Sequence, residues 1–359
     1  MPSRFLTELA RRVLVFDGAM GTSIHKHPLD VEADYCGCEN CTDILVQTRP
    51  DIIQSIHESF LAVGCDAVET DSFGGAPHVL AEFGIADRAF ALNKAAAEVA
   101  RAACDKFTTS DKPRFVVGSM GPGTKLVTLG NIDWDAMFAS YREQARGLIA
   151  GGVDALIIET CQDLLQVKCA LNAALAAIDE AGRTPLDVPL MVSVTIETTG
   201  TMLLGTQIEA AAAALRTYPI CSLGLNCATG PTEMSEHLRY LAKHSRLPLS
   251  CMPNAGLPEL TADGAYYPLT PGELAEAHDA FTREYGLALV GGCCGTTPEH
   301  MRQVVERLRG RERTPRRPRP EAGAASLYQH VPFRQDTSFL AIGERTNANG
   351  SKAFREAML

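Results

Sequence analysis

The chain has 359 residues, 46% of them hydrophobic, with 33 basic against 43 acidic side chains and a formal charge of −10. That length allows one large core or two domains, and the acidic balance argues against a nucleic-acid partner, whose phosphates it would repel. No apolar run approaches the ~20 residues needed to cross a bilayer, and the VLVF that follows Arg11-Arg12 is too short for the core of a secretory signal; the chain reads as soluble and cytoplasmic.

In chain order, short apolar or β-branched runs recur at VLVFDG (13–18), DAVETDSF (66–73), RFVVGSMGP (114–122), DALIIET (154–160), LMVSVTI (190–196), SLGLNC (222–227), LSCMPNAG (249–256) and LALVGGCC (287–294). Each has the length of a strand buried on both faces. Between them lie amphipathic helical patterns such as DIIQSIHESFLAVG, ALNKAAAEVARAA, MFASYREQARGLIAGG and PGELAEAHDAFTREYG. Eight strand–helix alternations imply parallel pairing through right-handed crossovers. The count predicts an α/β fold, a (β/α)₈ TIM barrel, over residues 1–309. Beyond it, RGRERTPRRPRPEAG holds six arginines and three prolines without an apolar period; residues 310–338 read as an extended, solvated linker in preference to a phosphate-binding patch. Residues 339–359, FLAIGERTNANGSKAFREAML, turn apolar again and read as the truncated start of a further domain.

Barrels of this kind place their chemistry at the carboxyl ends of the strands. The strand exits carry Asp17, Glu69 to Asp71, Ser119, Glu159, Asn226 with Cys227, Asn254, and the pair Cys293-Cys294, which are thereby expected to face one mouth. Of the 12 cysteines, Cys65, Cys104, Cys169, Cys221 and Cys251 sit in apolar patterns and read as small buried hydrophobes. Cys227, Cys293 and Cys294 do not. Neighbouring residues on a straight strand point to opposite faces, so Gly291, Gly292 and Gly295 are expected to let the chain bend until both thiols reach one point. Three thiolates suit Zn²⁺ with its fourth position open, a catalytic arrangement, and they disfavour Mg²⁺ or Ca²⁺. A vicinal disulfide and a merely packed pair are the alternatives. In DYCGCENCTD the C-x-C-x-x-C spacing of Cys36, Cys38 and Cys41 lacks a convincing fourth ligand and reads as an ordered loop with incidental thiols. The small residues of FDGAMGT leave the backbone N–H groups of Ala19, Met20, Gly21 and Thr22 free to face an anion, with Asp17 or Glu159 available for an ammonium group. That combination suits the zwitterionic head of an amino acid, although either acid could equally serve a salt bridge on the rim.

With these residues assembled, FDGAMGT, ETDSFGG, GSMGP, IIET, GLNC, PNAG and GGCCGT, in that order over about residues 10–308, identify the chain as resembling the homocysteine S-methyltransferase family. The resemblance implies a zinc site at the C-terminal mouth, on Cys227, Cys293 and Cys294, with the homocysteine sulfur in the open position. It also implies substrate contacts near Asp17, Ala19, Met20, Gly21, Thr22, Ser119, Glu159 and Asn226. One departure is Asp71, where the family pattern carries an amide. FLAIGERTNANGS is similar to the start of the folate-binding barrel of the cobalamin-dependent members. That likeness implies a homocysteine-binding module whose partners, a folate-binding and a cobalamin-binding module, belong to the same polypeptide. The implied reaction is methyl transfer from methylcobalamin to a zinc-activated homocysteine thiolate, forming methionine. The D-x-H-x-x-G cobalamin motif is absent from this sequence, in keeping with cobalamin on another module. Two other readings are a stand-alone methyltransferase using betaine or a sulfonium donor, and a zinc-storage or redox-sensing thiol protein.

Overall fold

Eight short strands frame the molecule: β1 (Leu14–Val15), β2 (Ala67–Glu69), β3 (Phe115–Met120), β4 (Ala155–Cys161), β5 (Leu190–Val194), β6 (Ile220–Asn226), β7 (Leu249–Met252) and β8 (Leu287–Val290). The computed structural model describes residues 2–261, 264–337, 339 and 349–358. Every neighbouring pair is parallel, and the strands follow one another round the sheet in sequence order, with β8 returning to β1. The remaining seam, β1 to β2, closes through a parallel bridge between Phe16 and Ala67. Asp66 secures it, its N–H donating to Val15 O (2.6 Å) while its carboxylate accepts from Val15 N (3.0 Å) and Arg12 (2.9 Å). The eight-stranded TIM barrel expected from the alternation of patterns is therefore present.

Side-chain alternation explains why the strands read as continuous apolar runs. Leu14, Phe16, Val117, Ile157, Met191 and Leu289 point into the barrel, where they form one cluster. Their neighbours Val15, Val68, Val116, Leu156, Ile158 and Val192 point outward into a second cluster beneath the helices. Both faces are dry, so no polar alternation survives. An N-terminal helix, Arg4–Arg11, plugs the base of the barrel with Phe5, whose ring meets Phe16 and Phe115 edge-on at 6.5 and 5.3 Å.

The crossover helices are α1 (Pro50–Val63), α2 (Ala89–Phe107), α3 (Trp134–Ala150), α4 (Leu164–Glu180), α5 (Ile208–Leu215), α6 (Pro231–His244), α7 (Pro271–Glu284) and α8 (Pro298–Arg307). Their starts carry local signals: proline in the first turn of α1, α6, α7 and α8, and side-chain caps from Asp133 and Asp163 at α3 and α4. Among the described residues, no helix is long and apolar enough to cross a membrane.

The Arg/Pro-rich segment expected as a linker runs along the base of the barrel. Arg316 donates to the carbonyls of Ser245 (3.0 Å) and Leu247, Arg313 to that of Leu9 (3.2 Å), and Arg311 pairs with Asp279 at 2.5 Å. Chain ends and turns at the base expose carbonyls that helix and sheet leave unpaired, and a guanidinium satisfies several at once. A hairpin of Gly323–Ala325 with His330–Pro332 follows and packs on α5. Of the segment expected to open a further domain, residues 339–359, residues 340–348 and 359 lie outside the described residues, and Lys352–Ala357 form a short helix.

Candidate metal and substrate site

Cys227 leaves β6, and Cys293 and Cys294 leave β8; the three Sγ atoms lie within 4.8 Å of one another. Two backbone devices aim them. Cys227 and Ala228 both adopt left-handed angles, φ 60° and 56°, a conformation costly for residues with a Cβ and found mainly where function requires it. After the cysteine pair, Gly295 takes φ 78°, turning the chain back on itself. Gly292 serves differently from expectation: its φ is not left-handed, but a Cβ there would stand 2.3 Å from Thr296 Oγ1. The β8 exit is braced by its neighbour, since Cys293 N donates to Pro253 O (2.8 Å), Cys294 N to Asn254 Oδ1 (3.1 Å) and Ala255 N to Cys294 O (2.9 Å).

The donor set fits zinc. Ligand arms of about 2.3 Å define a tetrahedron whose edges are about 3.8 Å, so the three thiols need to close by an ångström or less. They are free thiols, not a vicinal disulfide. Its interactions with Cys227 and Cys293, and then Tyr267, draw Cys294 down to about 3 against its burial, while those with Cys227 and Cys294 raise Cys293. Such a cluster readily yields a first thiolate to a cation. Among the described residues no other group of three donors converges this way. Cys36 is exposed while Cys38 and Cys41 are buried, and burial lifts Cys41 to about 12.

The cysteines border a cavity of about 240 Å³ that is also lined by Asp17, Ala19, Met20, Gly21, Thr22, Ser119 and Glu159. Its lining contains four acids, Asp17, Glu69, Asp71 and Glu159, and no Lys, Arg or His. Burial raises all four carboxyls, Glu159 to about 7 and Asp17, Glu69 and Asp71 well above their ordinary values, and nearby charge adds to it, from Glu159 at Asp17 and Glu69, from Asp43 at Asp71 and from Cys294 at Glu159. Glu159 is the best held, accepting from Ser119 Oγ (2.5 Å) and Asn226 Nδ2 (3.0 Å). Asn226 stands behind Glu159, its Oδ1 accepting from Thr160 N (2.9 Å), and is not part of the lining. Asp17 accepts from Glu69 N at 3.3 and 3.2 Å. The N–H of Ala19 is engaged by Thr296, which leaves Met20, Gly21 and Thr22 to present the uncapped first turn of the short helix Met20–Ile24. Larger clefts of about 390 and 530 Å³ open elsewhere, but neither is lined by a cysteine, and both gather arginines, with Glu321 in the first and Asp66 and Asp111 in the second.

The model of the homocysteine S-methyltransferase family matches residues 14–308. The chain belongs to that family. It is 51% identical to a methionine synthase of Mycobacterium tuberculosis and 52% identical to one of Mycobacterium leprae, in each case over 99% of this chain and 29% of the relative. The chain thus spans under a third of the length of these relatives. Among solved structures, the homocysteine methyltransferase MmuM of Escherichia coli shares the fold: its metallated form superposes with a TM-score of 0.67 at 23% identity, covering 85% of this chain and 99% of that one. Its oxidized form gives 0.63 at 23% identity, covering 82% and 96%.

Two groups at the site have no role assigned from the sequence. Glu69 lines the cavity and shares its charge repulsion with Asp17 and Glu159; its position at the exit of β2 is the signal that points to it. Tyr267 lies 26 positions before Cys293 in a loop without a motif, and only the folded chain brings it to Cys294.

Proposed function

We propose that this chain binds homocysteine and activates its sulfur for methylation to methionine, with zinc on Cys227, Cys293 and Cys294 and methylcobalamin as the methyl donor. The observation that carries the reading is the meeting of three thiols with a cation-free, acid-lined cavity. Bound zinc would supply the Lewis acidity that lets an alkyl thiol lose its proton at neutral pH. The chain's own residues do the rest. Asp17, Glu69 and Glu159 give the substrate ammonium a charge partner in a setting where burial makes each isolated carboxylate costly. Ser119 and Asn226 fix the Glu159 carboxylate from two sides. The N–H groups of Met20, Gly21 and Thr22 are the unpaired donors closest in character to what a substrate carboxylate requires. Three thiolates contribute three negative charges against the metal's two, which keeps the substrate sulfur electron-rich and nucleophilic. Methyl transfer to sulfur needs no proton donor at the carbon, and the cavity offers a sulfur anchor and an amino acid anchor.

The larger relatives and the FLAIGERTNANGS tail support a modular reading: residues 1–309 as the homocysteine-binding barrel, 310–338 as a linker, and 339–359 as the start of a folate-binding domain, with cobalamin on another module of the same polypeptide. The test is metal content and thiol selectivity together. Purified under reducing conditions the chain should hold about one zinc, lost or bound far more weakly in Cys293→Ser. Homocysteine should bind much more tightly than mercaptoethanol, which lacks the amino acid head. Full zinc affinity in Cys227→Ser, Cys293→Ser and Cys294→Ser alike, or equal binding of the two thiols, would defeat the reading.

A further inference from the structure

The arginine-rich segment begins at a cleft remote from the cysteines. Arg309 and Arg311 join Arg11, Arg12, Lys112 and Arg114 around a space of about 530 Å³. These residues precede β1 and β3 or follow α8, so the cleft opens at the base of the barrel, at the opposite end from the mouth. A chain of net charge −10 gathers six basic side chains there against two acids, Asp66 and Asp111. Part of that charge serves the fold. Arg11 and Arg12 pair with Glu8 (both 2.7 Å), Arg12 also with Asp66 (2.9 Å), and Arg311 with Asp279 (2.5 Å). Arg114 donates to the carbonyls of Gly64 (3.1 Å) and Cys65 (2.5 Å). The rest is uncompensated. Among the described residues, the Lys112 amine and the Arg309 guanidinium make no hydrogen bond or ion pair, and Arg114 Nε is buried without a partner in a side chain only 7% exposed. Burial and the charges of Arg114 and Arg12 lower the Lys112 amine against the pull of Asp66. Crowded like charges and an unpaired buried donor both cost stability, and an anion in the cleft would offset both.

We propose that this cleft binds a small multivalent oxyanion, a molecule presenting two or more phosphoryl or carboxylate groups, with Lys112 and Arg309 as its charge partners and Arg114 behind them. Guanidinium forks match the paired oxygens of phosphate and carboxylate, and a lysine amine adds a compact point charge. The volume falls within the range of small-molecule sites. The two acids do not oppose such a ligand strongly. Asp66 is already engaged by Val15 N (3.0 Å) and Arg12, and Asp111 is exposed to solvent, which screens it. The site is independent of the chemistry at the mouth and stands whether or not homocysteine binds there. Because Arg309 and Arg311 begin the segment that leads out of the barrel, an occupied cleft would pin that segment to the turns before β1 and β3.

Calorimetric titration of the full chain with pyrophosphate in one arm and citrate in the other reads both the site and its preference. The parent should bind one equivalent of at least one of them saturably, and less tightly as salt is raised. Tighter pyrophosphate marks a phosphoryl ligand, and tighter citrate a carboxylate ligand. Lys112→Gln and Arg309→Gln should each weaken the preferred anion about tenfold, the effect of removing one charged partner, while unfolding like the parent. Arg246→Gln, in the other arginine-bearing cleft, should leave binding as it is. Both anions also chelate metals, so the titration is repeated on Cys293→Ser, in which binding should persist. The site is overturned if the parent binds neither anion saturably, or if Lys112→Gln and Arg309→Gln both keep the parent's affinity. Weakening by Arg246→Gln to the same degree, or loss of binding in Cys293→Ser, would overturn it equally, by showing general charge attraction or chelation at the thiols.

Discussion

Replacing Glu159 by Gln separates two effects that run in opposite directions. The carboxyl is raised from 4.5 to about 7, first by burial and further by the charge of Cys294, against hydrogen bonds from Ser119, Thr160 and Asn226. A carboxyl that holds its proton more tightly when folded stabilises the fold in full below 4.5, and that contribution is lost as the pH rises through about 7. At about 1.4 kcal/mol per pH unit, the interval amounts to about 3 kcal/mol. An amide of the same size carries no such pH dependence. In the metal-free chain, Glu159→Gln should therefore match the parent in urea unfolding near pH 4.5 and exceed it by about 1–3 kcal/mol at pH 8. The lower figure allows for hydrogen bonds from Ser119 and Asn226 that an amide accepts less well. The zinc-loaded variant should lose homocysteine affinity by roughly ten- to a hundredfold, the effect of removing a charged hydrogen bond worth about 1.5–3 kcal/mol. Zinc content should be unchanged. Equal stability at pH 8 together with unchanged homocysteine affinity by calorimetry would show that Glu159 neither bears a burial penalty nor meets the ammonium.

Homocysteine binding to the zinc form should release about one proton more than alanine, which shares the amino acid head but lacks the thiol. Calorimetry in buffers of different ionisation enthalpy counts both, and equal counts for the two ligands would mean that the sulfur keeps its proton. Cys36→Ser, Cys38→Ser and Cys41→Ser should each retain the full zinc complement by atomic absorption, since these thiols form no three-donor group and do not join Cys227, Cys293 and Cys294. Gly224→Ala should destabilise the barrel by about 2–3 kcal/mol in thermal or denaturant unfolding, because a Cβ at that point of β6 would stand 1.9 Å from Ser250 Oγ and 2.2 Å from Ser250 O on β7. A variant as stable as the parent would show that the two strands have room to part.

Much of the molecule is legible in the chain itself. The eight apolar runs, their spacing and the helical patterns between them specify a parallel barrel, because a strand buried on both faces has no polar side to show and so stays apolar along its whole length. The barrel rule then ranks Asp17, Glu159, Cys227 and the Cys293-Cys294 pair as neighbours although 66 positions separate the first cysteine of the set from the second. Other features needed three dimensions. That Gly292 is required for space and Gly295 for its angle depends on where Thr296 and the returning chain lie. Asn226 reads as a cavity residue at its strand exit, but its side chain turns to Glu159 and Thr160. The arginine-rich segment has the composition of a solvated linker, and only the unpaired carbonyls at the barrel base give its guanidinium groups partners. Tyr267 belongs to no pattern, because its neighbour Cys294 is supplied by a different strand. Periodicity and strand-end position are local properties that a sequence carries openly. Hydrogen-bond partners and Cβ clearances depend on distances between segments remote in the chain, and those distances exist only once the barrel has closed.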